Sequence, residues 1–209
     1  MDIPILILLA GGKSSRMGSP KGLLDYQGTP WILEQVKRYG HIENPKVYIG
    51  LGYDFQKYFD SIPWLKNAID NFYNYNGVEV KVVMNNQPEY GAFSTLQTVL
   101  REIEEHSTVM IQPIDVPLAN IESLTAIINE NNSIVIASYK AKNGHPVKLK
   151  PVFWNTLLMV DTSSNTARLD TQIKQVKTSS ITYVSIADNA VYQNINTLKK
   201  WNDYLTSIK

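Results

Sequence analysis

The feature that most constrains the fold is a continuous apolar run over residues 3–10 that ends at two adjacent glycines, Gly11 and Gly12. An apolar run of this length without polar alternation is typical of a parallel strand covered on both faces. The run has no basic segment before it, and the glycines cut it far short of a membrane span. We therefore interpret it as a buried first strand followed by a sharp turn.

Strands and helices alternate along the rest of the chain. The residue patterns predict strands at 46–50, 78–84, 108–112, 134–138, 146–149 and 183–186, and helices at 31–39, 94–105, 121–129, 152–158, 169–176 and after Thr197. Thr29 is the expected N-cap of the first helix, with Pro30 as its first residue. Such alternation predicts right-handed βαβ units. The expected fold class is α/β, a three-layer, Rossmann-like arrangement with a mostly parallel sheet and helices on both faces, whose ligands bind at the carboxyl ends of the strands.

Composition restricts the possible functions. The chain of 209 residues is 44% hydrophobic and 19% charged, as expected for a globular protein with one substantial core, and we expect a single domain over 1–209. A net charge of +1 argues against a nucleic-acid-wrapping surface. The absence of cysteine excludes disulfides, thiolate metal sites and cysteine nucleophiles. We expect a cytoplasmic protein that binds neither nucleic acid nor membrane.

The least regular segment, 53–76, is rich in aromatic residues and is expected to hold one or two short helices. Two interpretations remain open for its rings. They could stack on a nucleotide base, or pack against the edge of the sheet. Packing is the more frequent use of such residues and is favoured here.

The loop over residues 11–21 combines flexible backbone with several donors. Gly11 and Gly12 allow a close approach to a ligand, while Ser14, Ser15, Arg16 and Lys21 supply hydroxyl, guanidinium and ammonium groups. This combination suits a triphosphate. The spacing matches neither a Walker A loop nor G-x-G-x-x-G. The alternative is an ordinary glycine turn with solvated charges.

The order Leu9-Ala10-Gly11-Gly12, Ser15-Arg16-Met17-Gly18 and Lys21 resembles the signature loop of nucleotidyltransferases that activate sugars, polyols and pterins. Within that family the chain is most similar to the branch that attaches GMP or CMP to molybdopterin. The resemblance implies the nucleotidyltransferase form of the α/β fold. It assigns Arg16 and Lys21 to phosphate charge and catalysis, and the backbone of residues 9–12 to nucleotide binding.

A second segment ends the strand at 108–112 and contains Asp115 and Pro117. A carboxylate at the carboxyl edge of a parallel sheet suits a hard cation that bridges phosphates. The segment resembles the family's D-x-P motif, whose aspartate binds Mg²⁺, and this role is carried over to Asp115. The alternative is that Asp115 caps the helix near Ile121, but Asn120 is better spaced for that.

A third segment contains Asn86, Gly91 and Ser94 between a strand and a helix. It resembles a segment of the cytidylyl-transferring enzymes that contacts base and ribose, which implies nucleotide binding by these three residues. A helix N-terminus can indeed face a nucleotide, yet Ser94 could simply cap the helix. The two roles are compatible.

Two further segments concern the acceptor and the metal. The turn Gly144-His145-Pro146 resembles a turn on the acceptor side of the cytidylyl branch, so His145 is a candidate for binding the acceptor phosphate, although a histidine in a turn is often structural. Asn194 and Asn196 stand where many relatives have D-I-D-T and resemble the guanylyl-transferring N-I-N-T. Asn196 is then a second, neutral metal ligand beside Asp115.

These segments together predict a Mg²⁺-dependent nucleotidyltransferase that moves NMP from GTP or CTP to a small phosphorylated acceptor, with molybdopterin as the implied acceptor and release of pyrophosphate. A molybdoenzyme or another protein of the cofactor pathway is the implied partner. Two alternatives stay open: a sugar- or polyol-phosphate nucleotidyltransferase, and an inactive nucleotide-binding regulator or chaperone.

Overall fold

The computed structural model describes residues 3–208, so residues 1, 2 and 209 of the predicted domain lie outside the described range. The strands are β1 (Ile5–Leu9), β2 (Asp25–Tyr26), β3 (Thr29–Pro30), β4 (Lys46–Leu51), β5 (Tyr73–Tyr75), β6 (Val78–Met84), β7 (Val109–Pro113), β8 (Ile134–Tyr139), β9 (Lys142–Leu149) and β10 (Ile181–Ser185). The helices are α1 (Trp31–Tyr39), α2 (Phe55–Ser61), α3 (Gly91–Leu100), α4 (Ile121–Asn129), α5 (Pro151–Leu157), α6 (Leu169–Lys174) and α7 (Leu198–Ser207).

An eight-stranded sheet in the order β10-β8-β9-β7-β1-β4-β6-β5 forms the middle layer. Its strands run parallel except for β5 and β9, which pair antiparallel with their neighbours. The first strand, β1, lies between β4 and β7, and its last residue Leu9 pairs with Gly50 and Pro113. The carboxyl ends of these strands therefore meet at one edge, where ligands of such sheets bind.

Both faces of the sheet are covered by helices. Along β1, Leu6 and Leu8 belong to one apolar cluster and Ile7 to the other, because successive side chains of a strand point to opposite faces. Residues of α1, α2, α4 and α7 pack in the first cluster, and residues of α3, α5 and α6 in the second. The predicted three-layer α/β fold is confirmed. Within the described range, no helix is both long and apolar enough to cross a bilayer.

The segment before α1 differs from its prediction. Thr29 pairs with Tyr26 in a small antiparallel ladder, and Pro30 is the residue that precedes the helix, without any side-chain cap. The predicted cap at Thr29 is therefore wrong, because the β2–β3 ladder holds its backbone instead. Trp31 donates its backbone N–H to the Leu24 carbonyl at 2.9 Å, which ties the start of α1 to the preceding loop.

Several rings of the aromatic segment pack within the protein. Trp64 stacks on Tyr73 and Tyr75, with ring centroids 4.6 and 5.0 Å apart, beside the edge strand β5. Tyr58 and Phe59 of α2 are buried in the core. For these rings the packing interpretation is confirmed, since their faces are occupied by other side chains rather than open to a ligand.

Candidate active site

Three side chains from distant parts of the sequence meet at the carboxyl edge of the sheet. The Lys21 ammonium donates to Oδ2 of Asp115 at 3.0 Å and to Oδ1 of Asn196 at 2.5 Å. Lys21 comes from the loop after β1, Asp115 from the loop after β7, and Asn196 from the segment before α7. The Lys21 and Asp115 side chains are partly buried. This Lys21–Asp115–Asn196 cluster unites three of the four residues that the sequence singled out for phosphate and metal chemistry; the fourth, Arg16, is exposed and lies outside it.

The loop after β1 is held at one side and open at the other. Ser14 adopts a left-handed backbone conformation with φ 49°, and its hydroxyl accepts the Lys21 backbone N–H at 3.1 Å. Met17 is buried and donates its N–H to the Ser14 carbonyl, so it anchors the turn in the core. Gly12 and Arg16 remain exposed. The loop thus fixes Lys21 while leaving a glycine backbone and a guanidinium accessible to a ligand.

A glycine is required at position 11 because Thr95 and the backbone of Gly52 lie close to its Cα. A Cβ at this position would lie 2.8 Å from the Thr95 hydroxyl and 3.3 Å from the backbone nitrogen of Gly52. The Gly11 carbonyl also accepts the N–H of Tyr53 at 3.1 Å. Gly50 and Gly52 at the end of β4 are a sequence signal for this close backbone approach, although the sequence alone does not show that the partner is the loop after β1.

The Asp115 loop is tied to the segment that carries Asn196. Ile195 donates its N–H to the Asp115 carbonyl at 2.7 Å, which brings the neighbouring Asn196 side chain toward Lys21. The N-cap of α4 is Asn120, whose side chain accepts the Ser123 N–H at 2.9 Å. The alternative role of Asp115 as a helix cap is therefore excluded.

The loop after β6 is organised by a buried asparagine that the sequence analysis did not single out. Asn85 donates from Nδ2 to Ser94 Oγ at 2.8 Å and to Thr95 Oγ1 at 3.0 Å. Ser94 in turn donates to the carbonyls of Gln87 and Gly91, so its hydroxyl is occupied inside the protein. The capping alternative for Ser94 is wrong, because α3 begins at Gly91 rather than at Ser94.

The other two residues predicted at this loop are accessible. Asn86 and Gly91 are exposed, and Gly91 has a φ of +83° that favours glycine at the start of α3. Gly91 also lines a cleft at the carboxyl edge of the sheet. Ser94 is buried, whereas Asn86 and Gly91, which the sequence motif groups with it, are exposed.

A cleft of about 720 Å³ opens along the carboxyl edge of the sheet. None of Lys21, Asp115 and Asn196 lines it, but its lining includes Val116 and Asn194, the sequence neighbours of Asp115 and Asn196. Its floor is apolar and includes Leu9, Phe93, Leu96, Ile111, Ile136 and Val147. Its polar wall carries His145, Asn194, Arg168 and Lys174. A molecule with a flat apolar body and an anionic group would find partners on both sides of this cleft.

His145 is held near the base of the cleft. Its Nδ1 lies 3.4 Å from the Ile111 carbonyl oxygen. Burial lowers the pKa of His145 below its ordinary value, and the Ile111 carbonyl and the Asp115 charge partly oppose this shift. The imidazole is therefore neutral near pH 7. The preceding Gly144 is packed so tightly against the Val191 carbonyl that no side chain fits there.

The family of the chain follows from comparison of its sequence with family models. The model described as the MobA-like NTP transferase domain matches residues 6–176. The chain belongs to this family. It is therefore a nucleotidyltransferase of the MobA-like type, as the loop after β1 predicted.

Relatives of this MobA-like domain are distant. The molybdenum cofactor guanylyltransferase of Xanthomonas euvesicatoria pv. vesicatoria is 22% identical over 206 residues, which cover 94% of this chain and 91% of that protein. The probable molybdenum cofactor guanylyltransferase of Rhodopirellula baltica is 22% identical over 153 residues; the match covers 71% of this chain and 66%, just under two thirds, of that protein. The manganese complex of Rv0371c from Mycobacterium tuberculosis H37Rv shares the fold, with a TM-score of 0.67, 17% identity and coverage of 99% and 100% of the two chains.

The donor set of this MobA-like domain suits a divalent cation shared with substrate. Among the described residues no three His, Cys, Asp or Glu side chains form a metal-binding group. The Asp115 carboxylate and the Asn196 amide oxygen nevertheless converge on one cation, the Lys21 ammonium. These are hard oxygen donors, and nucleotide phosphates and water commonly supply the remaining ligands of such an ion.

Proposed function

We propose that this MobA-like domain transfers GMP from GTP to the phosphate of molybdopterin, with CTP as the alternative donor. The observation that carries the proposal is the convergence of Lys21, Asp115 and Asn196 on one point at the carboxyl edge of the sheet. GTP is favoured over CTP because Asn194 and Asn196 resemble the guanylyl-transferring N-I-N-T, and because both curated relatives are named as guanylyltransferases.

The reaction is an in-line displacement at phosphorus. An oxygen of the acceptor phosphate attacks the α-phosphorus of the triphosphate, the bond from that phosphorus to the bridging oxygen breaks, and pyrophosphate leaves with the electron pair. A phosphate monoester is already ionised near neutral pH, so no side chain has to remove a proton. Catalysis then depends on positioning and on neutralising charge.

Each residue of the site has a specific part in this scheme. Lys21 and Arg16 neutralise charge that moves onto the leaving pyrophosphate, and the backbone of Gly11 and Gly12 approaches the nucleotide. Asp115 and Asn196 supply the oxygen ligands for a divalent cation, which we propose to be Mg²⁺. Such a cation would draw negative charge from the α-phosphate region.

Lys21 changes partners when the nucleotide binds. In the structure its ammonium satisfies both Asp115 and Asn196. A triphosphate offers Lys21 a more highly charged partner, and the two oxygens it leaves then become available as ligands for the cation. In either arrangement the partly buried Asp115 carboxylate has a cationic partner.

The cleft is the proposed binding site for the acceptor. Its apolar floor can cover a flat ring system. Arg168 and Lys174 lie in its wall with Asp170, which pairs with both, so these three side chains leave one net positive charge there. His145 lies in the same wall, where we propose that it contacts the acceptor phosphate. A sugar- or polyol-phosphate acceptor would bury less apolar surface on this floor and is the weaker candidate.

A second candidate function, nucleotide binding without turnover, is favoured by one observation. Asn196 is neutral, so the cluster carries a single carboxylate where two would hold a divalent cation more firmly. Calorimetry distinguishes the two functions. Tight GTP binding by a protein that releases no pyrophosphate in the presence of acceptor would support a regulator.

The proposed reaction is tested by pyrophosphate release. The wild-type protein is mixed with Mg²⁺, each of the four NTPs in turn, and either molybdopterin or a sugar phosphate. We expect release only when GTP and molybdopterin are both present, and the largest rise in Tm with GTP among the nucleotides, because selective binding stabilises by mass action. Release only with CTP would correct the donor. Release only with a sugar phosphate would overturn the acceptor.

A further inference from the structure

The loop that carries Asp115 is bonded to helix α1 by its backbone carbonyls. Trp31 donates its indole N–H to the carbonyl of Ile114, the residue before Asp115, at 2.8 Å. One helical turn later, Gln35 donates from Nε2 to the carbonyl of Val116, the residue after Asp115, also at 2.8 Å. The two helix residues thus hold the peptide units on both sides of Asp115.

Gln35 makes a second bond to the same loop. Its Oε1 accepts the N–H of Leu118 at 2.9 Å, so both ends of its amide are bonded to backbone. Gln112 adds a further donor to the Val116 carbonyl at 2.6 Å. With Ile195 bonded to the Asp115 carbonyl at 2.7 Å, the backbone around the carboxylate has little freedom to move.

The complete burial of Gln35 calls for a structural reason for its polar amide. The residue has no exposed surface and lies among the apolar residues Trp31, Ile32, Val36 and Tyr39 of the same helix. Burying an amide is unfavourable unless it is hydrogen-bonded, and a leucine would fill the same space without that requirement. The bonds to the Asp115 loop are the physical reason for a glutamine at this position.

Helix α1 also supports the other half of the cluster. Its first residue, Trp31, donates its backbone N–H to Leu24, which follows the short 3-10 helix Lys21–Leu23. One end of α1 is therefore bonded both to the segment that carries Lys21 and to the loop that carries Asp115. Helix α1 therefore contributes to the relative placement of these two side chains, together with the pairing of β1 with β7.

We propose that Trp31 and Gln35 are positioning residues that hold Asp115 in the geometry needed to bind the divalent cation. The proposal rests on the proposed function, because it takes Asp115 as the metal ligand. Neither residue needs to touch the substrate. Residues that orient a metal ligand typically change metal affinity about 10–100-fold when they are replaced.

The chain offers matched controls for both residues. Gln97 is buried on the other face of the sheet, and its Nε2 donates to the carbonyls of Leu157 and Val160 at 2.6 and 2.7 Å. Trp154 is buried in that same layer and donates its indole N–H to the Ser107 carbonyl at 2.8 Å. Both controls make the same kinds of bond, but away from Asp115.

The experiment compares Gln35→Met with Gln97→Met, and Trp31→Phe with Trp154→Phe, in the full chain. The affinity for Mn²⁺ is measured from the electron paramagnetic resonance signal of the free ion, with a non-hydrolysable GTP analogue present. Tm and the metal concentration for half-maximal pyrophosphate release are measured in parallel. Trp31→Phe keeps the aromatic packing, so it carries the test even if Gln35→Met does not fold.

We expect all four variants to lose stability, but only Gln35→Met and Trp31→Phe to bind Mn²⁺ about 10-fold or more weakly than the wild type. Equal Mn²⁺ affinity within each pair would overturn the proposal and leave both residues as structural. Failure of the wild type to release pyrophosphate would count against the proposed function alone. The Mn²⁺ affinities would still test whether Trp31 and Gln35 position Asp115. A wild type that binds no Mn²⁺ with the analogue overturns both.

Discussion

The Lys21 ammonium lies 3.0 Å from the Asp115 carboxylate, although 94 positions separate the two residues in the sequence. The contact joins the loops that follow β1 and β7, which are adjacent parallel strands. It places a cation and an anion at the carboxyl edge of the sheet. The pair is therefore the structural centre of the proposed phosphate chemistry.

Replacing Lys21 by methionine should abolish most activity. The variant keeps a similar side-chain length but loses the charge that neutralises the leaving pyrophosphate, so we expect kcat to fall by about 10²-fold or more. Lys46→Met is the matched control, because Lys46 pairs with Glu79 at 3.4 Å with both side chains about half exposed. Steady-state pyrophosphate release measures both. A Lys21→Met enzyme as active as Lys46→Met would remove Lys21 from the mechanism.

Adding a single methyl group at Gly11 should damage the nucleotide loop. In Gly11→Ala the new Cβ would press on Thr95 and on the backbone of Gly52, whereas in Gly12→Ala it would meet nothing within 4 Å. We expect Gly11→Ala to lose about 1–3 kcal/mol of unfolding free energy through overpacking, together with most GTP affinity. Urea denaturation and calorimetry measure these two quantities. Equal losses of unfolding free energy in the two alanine variants would show that the close approach at Gly11 is not maintained in solution.

The buried Asn85 should be a large contributor to stability for a polar residue. Asn85→Leu would leave the Ser94 and Thr95 hydroxyls without their donor, and the Gln87 N–H, which now donates to Asn85 Oδ1, without its acceptor. We expect a loss of about 1–3 kcal/mol in urea denaturation. Asn74→Ala is the control, because its exposed side chain accepts one N–H, from Gly77. A loss no larger than that of the control would contradict the network.

The lowered pKa of His145 predicts a pH dependence of stability. Since burial favours the neutral imidazole in the folded protein, the unfolded chain takes up its proton at a higher pH, near 6.5. The stabilising contribution is present above that value and is lost as the pH falls below it. We expect Tm to fall less in His145→Asn than in the wild type between about pH 7.5 and about pH 5.5. An unchanged slope would mean that His145 titrates as it does in the unfolded chain.

The parts of the site carried by local patterns were predictable from the sequence. The strand and glycine loop at 3–12 and the capping role of Asn120 follow from rules that act over a few residues. The expectation that Asp115 lies at a strand end followed from the alternation of strands and helices. The same rules predicted helices α1 and α4 with the first and last residues that the structure shows.

Contacts between distant segments were not predictable. Helix α3 begins at Gly91, earlier than expected, and Ser94 lies in its first turn, where it accepts a hydrogen bond from the buried Asn85. The strand expected at 146–149 begins at Lys142 and pairs antiparallel with β8 through a tight turn at Lys140 and Ala141. Both turn residues have positive φ, which their side chains do not signal as Asn-Gly would.

The most direct test of the account is the comparison of Asp115→Asn with the wild type in GTP- and molybdopterin-dependent release of pyrophosphate. The substitution preserves the size of the side chain and removes the one negative charge of the Lys21–Asp115–Asn196 cluster. We predict a fall of about 10²-fold or more in kcat with an unchanged fold by circular dichroism. Equal rates for the two proteins would contradict the central role given to Asp115.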